Sequence, residues 1–190
     1  TTHLLTDEAI QMIKLQDEKP FFLELSYAAP HMPNEAPSEA AAMYPDIQNK
    51  NRKLHAAMVT EVDRGIQKLI STLEETGHME NTIIWFMSDN GGKNLIGTPE
   101  DVVAPILNFA KLWGEPLPFP FWEFLRDNMV NGAGDNYPLK GGKATVYEGG
   151  LRVPAFFYAP GFIPQQKVAH QITVDDVLPT LITAAGLEHV

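Results

Sequence analysis

Cysteine is absent from this 190-residue chain. That excludes disulfide staples and thiol chemistry, yet it leaves the compartment open, because exported proteins also fold without cysteine. Basic residues are scarce too, with 14 Lys and Arg against 24 Asp and Glu and a formal net charge of -10. Nucleic-acid binding depends on clustered cations, so a phosphate-backbone partner is excluded. An anionic ligand would have to be captured by a few local positive groups. No uninterrupted apolar stretch reaches the roughly 18 residues of a membrane helix. The start, Thr-Thr-His-Leu-Leu-Thr-Asp-Glu, lacks the basic region and apolar run of a signal peptide. If the protein is exported, its signal is expected upstream of residue 1.

What is present is globular: 44% hydrophobic and 20% charged residues give enough apolar mass for one domain or part of one. There is no internal repeat or low-complexity tract. Thr6, Asp7 and Glu8 ahead of Ala9, Ile10, Met12 and Ile13 predict a capped short helix ending before Pro20. A strand is predicted from Phe21 to about Ser26, then a Pro- and Ala-rich loop from Tyr27 to Pro45 with a helical turn at Ser38 to Met43. From Arg52 to Thr76, the residues Leu54, Met58, Val62, Ile66, Leu69, Ile70 and Leu73 recur at helical spacing. They predict a long helix with Glu61, Arg64, Lys68 and Glu75 facing water, stopped by Gly77. Strands are predicted at 82–88 and from Val153 to Ala159, and a helix from Asp176 to Ala185. Asp175 and Asp176 read as capping acids rather than as a catalytic carboxylate pair. Helices alternating with strands point to a layered α/β fold.

The segment 94–135 resists pattern reading. Trp113, Phe119, Phe121, Trp122, Phe124 and Leu125 are broken by Pro116, Pro118 and Pro120. Large aromatics usually pack a local core, and the alternative is a lid over the organic part of a substrate.

Three short segments carry chemistry. The run Thr82 to Met87 ends in Ser88-Asp89-Asn90-Gly91-Gly92-Lys93, so Asp89 and Asn90 are expected at the carboxyl end of a strand, where open α/β sheets place ligands. Their two side-chain oxygens suit a hard cation such as Ca2+ or Mg2+, although Asp-Asn-Gly-Gly is also good turn chemistry by itself. Lys143 lies in Leu-Lys-Gly-Gly-Lys-Ala-Thr, where glycines permit close backbone approach to a ligand. His31 lies between two prolines in Ala-Pro-His-Met-Pro. A lone histidine is more often structural, but imidazole titrates near neutrality and suits proton transfer.

In their order these segments resemble the sulfatase family of the alkaline-phosphatase-like superfamily. Three further blocks strengthen the likeness: Pro20-Phe21-Phe22-Leu23 running into Ala28-Ala29-Pro30-His31, the Asp63 to Gly65 stretch, and Asp176-Val177-Leu178-Pro179-Thr180-Leu181. The resemblance implies an alkaline-phosphatase-like layered fold with a largely parallel central sheet flanked by helices. It implies that Asp89 and Asn90 complete an all-oxygen Ca2+ or Mg2+ site. His31 would contact sulfate and give a proton to the departing alkoxide, and Lys143 would bind a sulfate oxygen. Lys140, where the family tolerates Arg or Lys, is unassigned. Glu148 and Arg152 are expected to hold the loop that carries Lys143.

The family's nucleophile comes from an N-terminal Cys/Ser-x-Pro-x-Arg motif whose first residue becomes formylglycine, and no such motif occurs in this chain. Residues 1–190 are therefore expected to be the C-terminal portion of a sulfatase catalytic domain, with an insert at 94–135. By itself the chain is expected to be inactive. The implied partners are a sulfate ester and an N-terminal segment completing the domain, in an exported, periplasmic or lysosomal setting. Two other readings stay open: a phosphate ester hydrolase of the same superfamily, and a non-catalytic sulfatase-like binding protein. The alcohol of the substrate is not legible.

Overall fold

A computed structural model describes residues 1–17, 19–93, 133–160 and 162–187. The aromatic stretch of the insert, read above as local core or lid, lies outside the described residues. The described chain forms two compact units, Thr1–Ala159 and Pro160–Val190.

In the first unit the elements are α1 (Thr2–Lys14), α2 (Ser38–Ala42), α3 (Lys50–Glu75), a 3-10 turn (Met79–Asn81), β1 (Ile84–Met87), α4 (Glu148–Leu151) and β2 (Ala155–Tyr158). The long helix α3 forms for reasons visible in its ends as well as its face. Asn49 caps it by accepting from Arg52 N at 2.9 Å, satisfying one of the orphan donors of the first turn. At the other end Gly77 takes a φ of +74°. His78 N donates to Leu73 O at 2.9 Å and Gly77 N to Glu74 O at 3.1 Å, the paired bonds by which a left-handed residue closes a helix.

α1 lies against α3, and between them Ile13, Leu73 and Met79 form a buried cluster with Phe21, Leu23, Leu69, Ile70 and Ile84 packed on it. Each fully buried aliphatic of this kind contributes about 1.5–3 kcal/mol. The close approach depends on Gly65, where a Cβ would stand 2.7 Å from Thr6 Oγ1 and 2.9 Å from the Tyr27 hydroxyl. Thr6 is accordingly no helix cap: it is buried inside α1, bonded to Thr2 O at 3.0 Å and to Tyr27 Oη at 2.7 Å. The helix begins earlier than its acidic residues indicate, because Thr6 is held by a tertiary contact that local sequence does not display.

Glu61 is a second correction. Expected in water, it is 6% exposed, bound by His3 Nε2 of α1 and by Arg64 Nη1 at 2.6 Å. The His3 hydrogen bond holds the Glu61 carboxyl below the usual glutamate range; burial opposes this, and Arg64 adds to the lowering. A carboxyl depressed in the folded state stabilises the fold above its unfolded value, about 4.3, and that contribution is lost as pH falls through the lower folded value. Glu61→Gln is expected to cost about 1–3 kcal/mol near neutrality, since a buried carboxylate interaction is lost. It should also flatten the acid limb of the unfolding midpoint against pH. An acid limb identical to that of the parent would show that the trio does not tie α1 to α3.

The two strands pair antiparallel, with Ile84 opposite Tyr158 and Met87 opposite Ala155. Trp85 and Phe157 pack at 4.1 Å, and Phe86 stacks on Phe156 at 5.0 Å. The parallel pairing expected of the sheet is thus not what joins the described strands. Large α/β sheets commonly carry an antiparallel strand, because a chain returning without a crossover must run the opposite way. The predicted strand at Phe21 to Ser26 has no partner among the described residues. It nevertheless keeps strand sidedness: Phe21, Leu23 and Leu25 are turned inward while Phe22, Glu24 and Ser26 are exposed.

In the second unit, the 3-10 turn Val174–Asp176 leads into α5 (Val177–Ala184). Thr173 N donates to Asp176 Oδ2 at 2.8 Å in a reciprocal capping box, the capping role expected of Asp176. No helix among the described residues is long and apolar enough to cross a membrane.

Candidate functional site

β1 ends at Met87, and the turn that follows is held from within and from across. Ser88 N donates to Pro154 O at 3.3 Å, and Ser88 Oγ donates to Asn90 O at 3.0 Å. Asp89 is exposed, its Oδ1 accepting from Asn90 N at 2.9 Å. Oδ2 accepts no bond among the described residues. Asn90 Nδ2 is committed to Gly91 O at 3.2 Å, so the amide oxygen is the atom it can offer a cation. The turn and a ligand role therefore coexist, each using different atoms. Two oxygens fit a hard cation but fall short of a full shell of about six to eight for Ca2+. No cluster of three His, Asp or Glu completes it among the described residues.

The lysine loop meets this turn through backbone. Lys143 N donates to Gly92 O at 3.0 Å, Gly91 N to Gly150 O at 2.9 Å, and Gly149 N to Lys140 O at 2.7 Å. Such proximity requires glycine. A Cβ on Gly91 would stand 1.7 Å from Gly149 O, and one on Gly149 would stand 2.3 Å from Gly141 O. The glycines expected to admit a ligand thus serve first to let two loops interlock. Thr145 Oγ1 donates to Gly142 O at 2.8 Å, closing a tight turn in which Ala144 takes a φ of +70°. That left-handed backbone costs an alanine about 1–2 kcal/mol, and it presents Lys143 at the tip.

Lys140 makes a local contact, its Nζ 4.1 Å above the Tyr147 ring. Glu148 and Arg152 form an exposed ion pair at 3.2 Å from the first residue of α4 to the residue that follows it. Exposed pairs contribute little, so the loop is held by the glycine backbone bonds instead.

Two residues without an assigned role enter the site. Lys93 follows the turn, and its ammonium is held below the usual lysine value by burial and by the Lys143 charge. Two cations therefore feel each other beside the Asp89 turn. Asn136 bonds Gly92 on both sides and also Gly141, with Oδ1 accepting from Gly92 N at 3.0 Å and Nδ2 donating to Gly92 O at 2.7 Å and Gly141 O at 3.2 Å. No spacing rule marks such a residue, because its partners are backbone atoms and one of them, Gly92, lies 44 positions away.

His31 stands apart. It is exposed, its N bonded to Ala28 O at 2.9 Å and its Nδ1 to Met32 O at 2.8 Å. A carbonyl partner makes Nδ1 the donor and leaves Nε2 free to exchange a proton. Its hydrogen bonds stay within its own loop, so the structure joins Asp89, Asn90 and Lys143 but leaves His31 outside that network. The other described histidines have no evident part in the site. His78 packs edge-on to Phe21 at 5.9 Å. Burial, with Arg52 nearby, lowers His55 and keeps it neutral; His170 is exposed.

Comparison with known proteins adds independent findings. The sulfatase family model matches residues 1–187. Mouse (Mus musculus) arylsulfatase J is 29% identical over 187 residues, covering 97% of this chain and 25% of that protein. Dog (Canis lupus familiaris) N-acetylgalactosamine-6-sulfatase is 31% identical over 189 residues, covering 98% and 29%. Among solved structures, Ps i-CgsB in complex with k-i-k-neocarrahexaose superimposes with a TM-score of 0.77 at 35% identity, over 100% of this chain and 35% of that one. The chain therefore spans roughly a quarter to a third of the length of the proteins it matches. The expected alkaline-phosphatase-like fold class holds on these neighbours, with a small antiparallel pair as its described sheet.

Proposed function

Because this chain belongs to the sulfatase family, we propose that it contributes metal- and sulfate-binding residues to a sulfuric ester hydrolase. One observation carries the reading. The glycine bed brings the Asp89–Asn90 turn and the Lys143 loop together by backbone hydrogen bonds, so oxygen donors and a cation are carried on adjoining loops of a chain of net charge -10. Sulfatases are generally metal-dependent, and the Asp89 and Asn90 oxygens suit a hard cation such as Ca2+ or Mg2+. When bound, it supplies Lewis-acid polarisation of the ester.

Lys143 binds a sulfate oxygen as a compact point charge, and Lys93 adds a second positive field that offsets the acidity of the chain. His31, as imidazolium, gives its Nε2 proton to the departing alkoxide and is left as the neutral ring with its proton on Nδ1. The nucleophile, formylglycine by family, lies outside these residues, since no Cys/Ser-x-Pro-x-Arg motif occurs among them. An exported, periplasmic or lysosomal location belongs to the same reading.

The test is turnover. Purified 190-residue chain is expected to leave an aryl sulfate intact, whereas an enzyme in which it is joined to a nucleophile-bearing segment should hydrolyse sulfate in preference to phosphate esters. Robust metal-dependent hydrolysis by the chain alone would place the nucleophile within it. A preference for phosphate by the joined enzyme would move the assignment to a phosphatase. No turnover of either ester, with anion binding retained, would favour a binding protein.

A further inference from the structure

We propose that Asn136 is a positioning residue that locks the metal-donor turn to the lysine loop, setting where Lys143 stands relative to Asp89 and Asn90. This rests on reading those three residues as one site. The two segments lie about fifty positions apart in sequence, and each is irregular backbone, so neither is aligned by a helix or a strand ladder. Asn136 supplies the missing ladder. Its amide pairs with both backbone polar groups of one residue, accepting from Gly92 N at 3.0 Å and donating to Gly92 O at 2.7 Å, the paired pattern by which neighbouring strands register.

The same Nδ2 reaches Gly141 O at 3.2 Å, two residues before Lys143, and Gly92 O in turn accepts from Lys143 N at 3.0 Å. A single side chain is thus bonded to the residue two positions after Asn90 and to the residue two positions before Lys143. Only an amide of this length serves. Aspartate keeps the acceptor for Gly92 N but sets a carboxylate against the Gly92 and Gly141 carbonyls, and alanine removes all three bonds. Asn136 is itself placed by its main chain, whose carbonyl accepts from Leu139 N at 2.7 Å. The neighbouring Gly134 N, bonded to Lys93 O at 2.7 Å, continues the same seam.

Two measurements test the assignment. In the full 190-residue chain, hydrogen exchange monitored by mass spectrometry should accelerate in peptides covering 89–93 and 140–145 in Asn136→Ala and Asn136→Asp, while peptides from α3 stay as protected as in the parent. Unchanged exchange in both segments, or acceleration spread evenly over α3 as well, overturns the proposal. In an active enzyme carrying this chain, Asn136→Ala should lower kcat/KM about 10–100-fold, the usual effect of removing a group that orients a ligand-binding residue. Lys143→Ala added on top should then cost much less than it costs in the parent, because the lysine is already displaced. Losses that multiply in full would show that Asn136 acts independently of Lys143, and would sink the idea. An enzyme inactive on every sulfate ester, with the exchange pattern as expected, would fail the functional reading and leave the positioning role standing.

Discussion

Replacing His31 by alanine is expected to lower the hydrolysis of alkyl and sugar sulfates roughly 10²–10⁴-fold in an enzyme that carries this chain, the range for loss of a positioned general acid. The imidazole is prepared for that part. Its Nδ1 donates to Met32 O, so the ring is oriented and, in the imidazolium form, Nε2 is the nitrogen whose proton can be given up. An alkoxide is a poor leaving group and needs that proton as the bond to sulfur breaks. A phenoxide with a low conjugate-acid pKa departs with little help.

The defect should therefore shrink steadily along a series of aryl esters of falling leaving-group pKa, measured as kcat for parent and variant. Lys143→Ala should behave differently, depressing every ester by about 10²–10³-fold because it removes charge stabilisation at the sulfate oxygens rather than a proton donor. A His31→Ala loss of constant size across the series would mean that the histidine only holds the sulfate. The separation of His31 from the Asp89–Lys143 hydrogen-bond network makes this contrast informative, since the two variants disturb different parts of the structure.

Asp89→Ala should abolish tight metal binding and lower kcat/KM by about 10²-fold or more, since a Lewis acid contributes several kcal/mol to the transition state. The carboxylate offers charge that the neutral Asn90 amide cannot, so Asn90→Ala should be the milder variant. Calorimetric titration with Ca2+ checks this directly in the complete enzyme. The isolated chain should bind weakly, because its two donors are well short of the coordination Ca2+ prefers. Unchanged affinity in Asp89→Ala would assign the side chain to the turn alone, where its Oδ1 already accepts from Asn90 N.

Legibility in the sequence followed the range of the interaction. α3 was readable at its face and at its end because apolar spacing and Gly77 act within a few residues, and β1, β2 and α5 were found for the same reason. The capping by Asp176 was readable too, since Thr173 lies only three residues away. The start of α1 was misplaced because Thr6, a good cap in isolation, is occupied by Tyr27 across the fold. Glu61 is expected in water because charge on a helix normally goes there, and its partner on α1, His3, lies 58 residues away.

The candidate site divides along the same line. Asp89, Asn90 and Lys143 were found in the sequence because a strand end and a pair of glycines are local signals, and the order of the blocks tied them to one family. Their meeting was decided by tertiary structure. Gly91 and Gly149 leave space for the loops to interlock, and the Asn136 amide spans the gap between them. What the sequence by itself determined was the chemistry available and the elements that carry it, since residue type and period are properties of neighbours. What the tertiary structure decided was the backbone seam, the burial of Glu61 and the antiparallel pairing of β1 with β2, because hydrogen bonds between residues tens of positions apart leave no periodic trace in the chain.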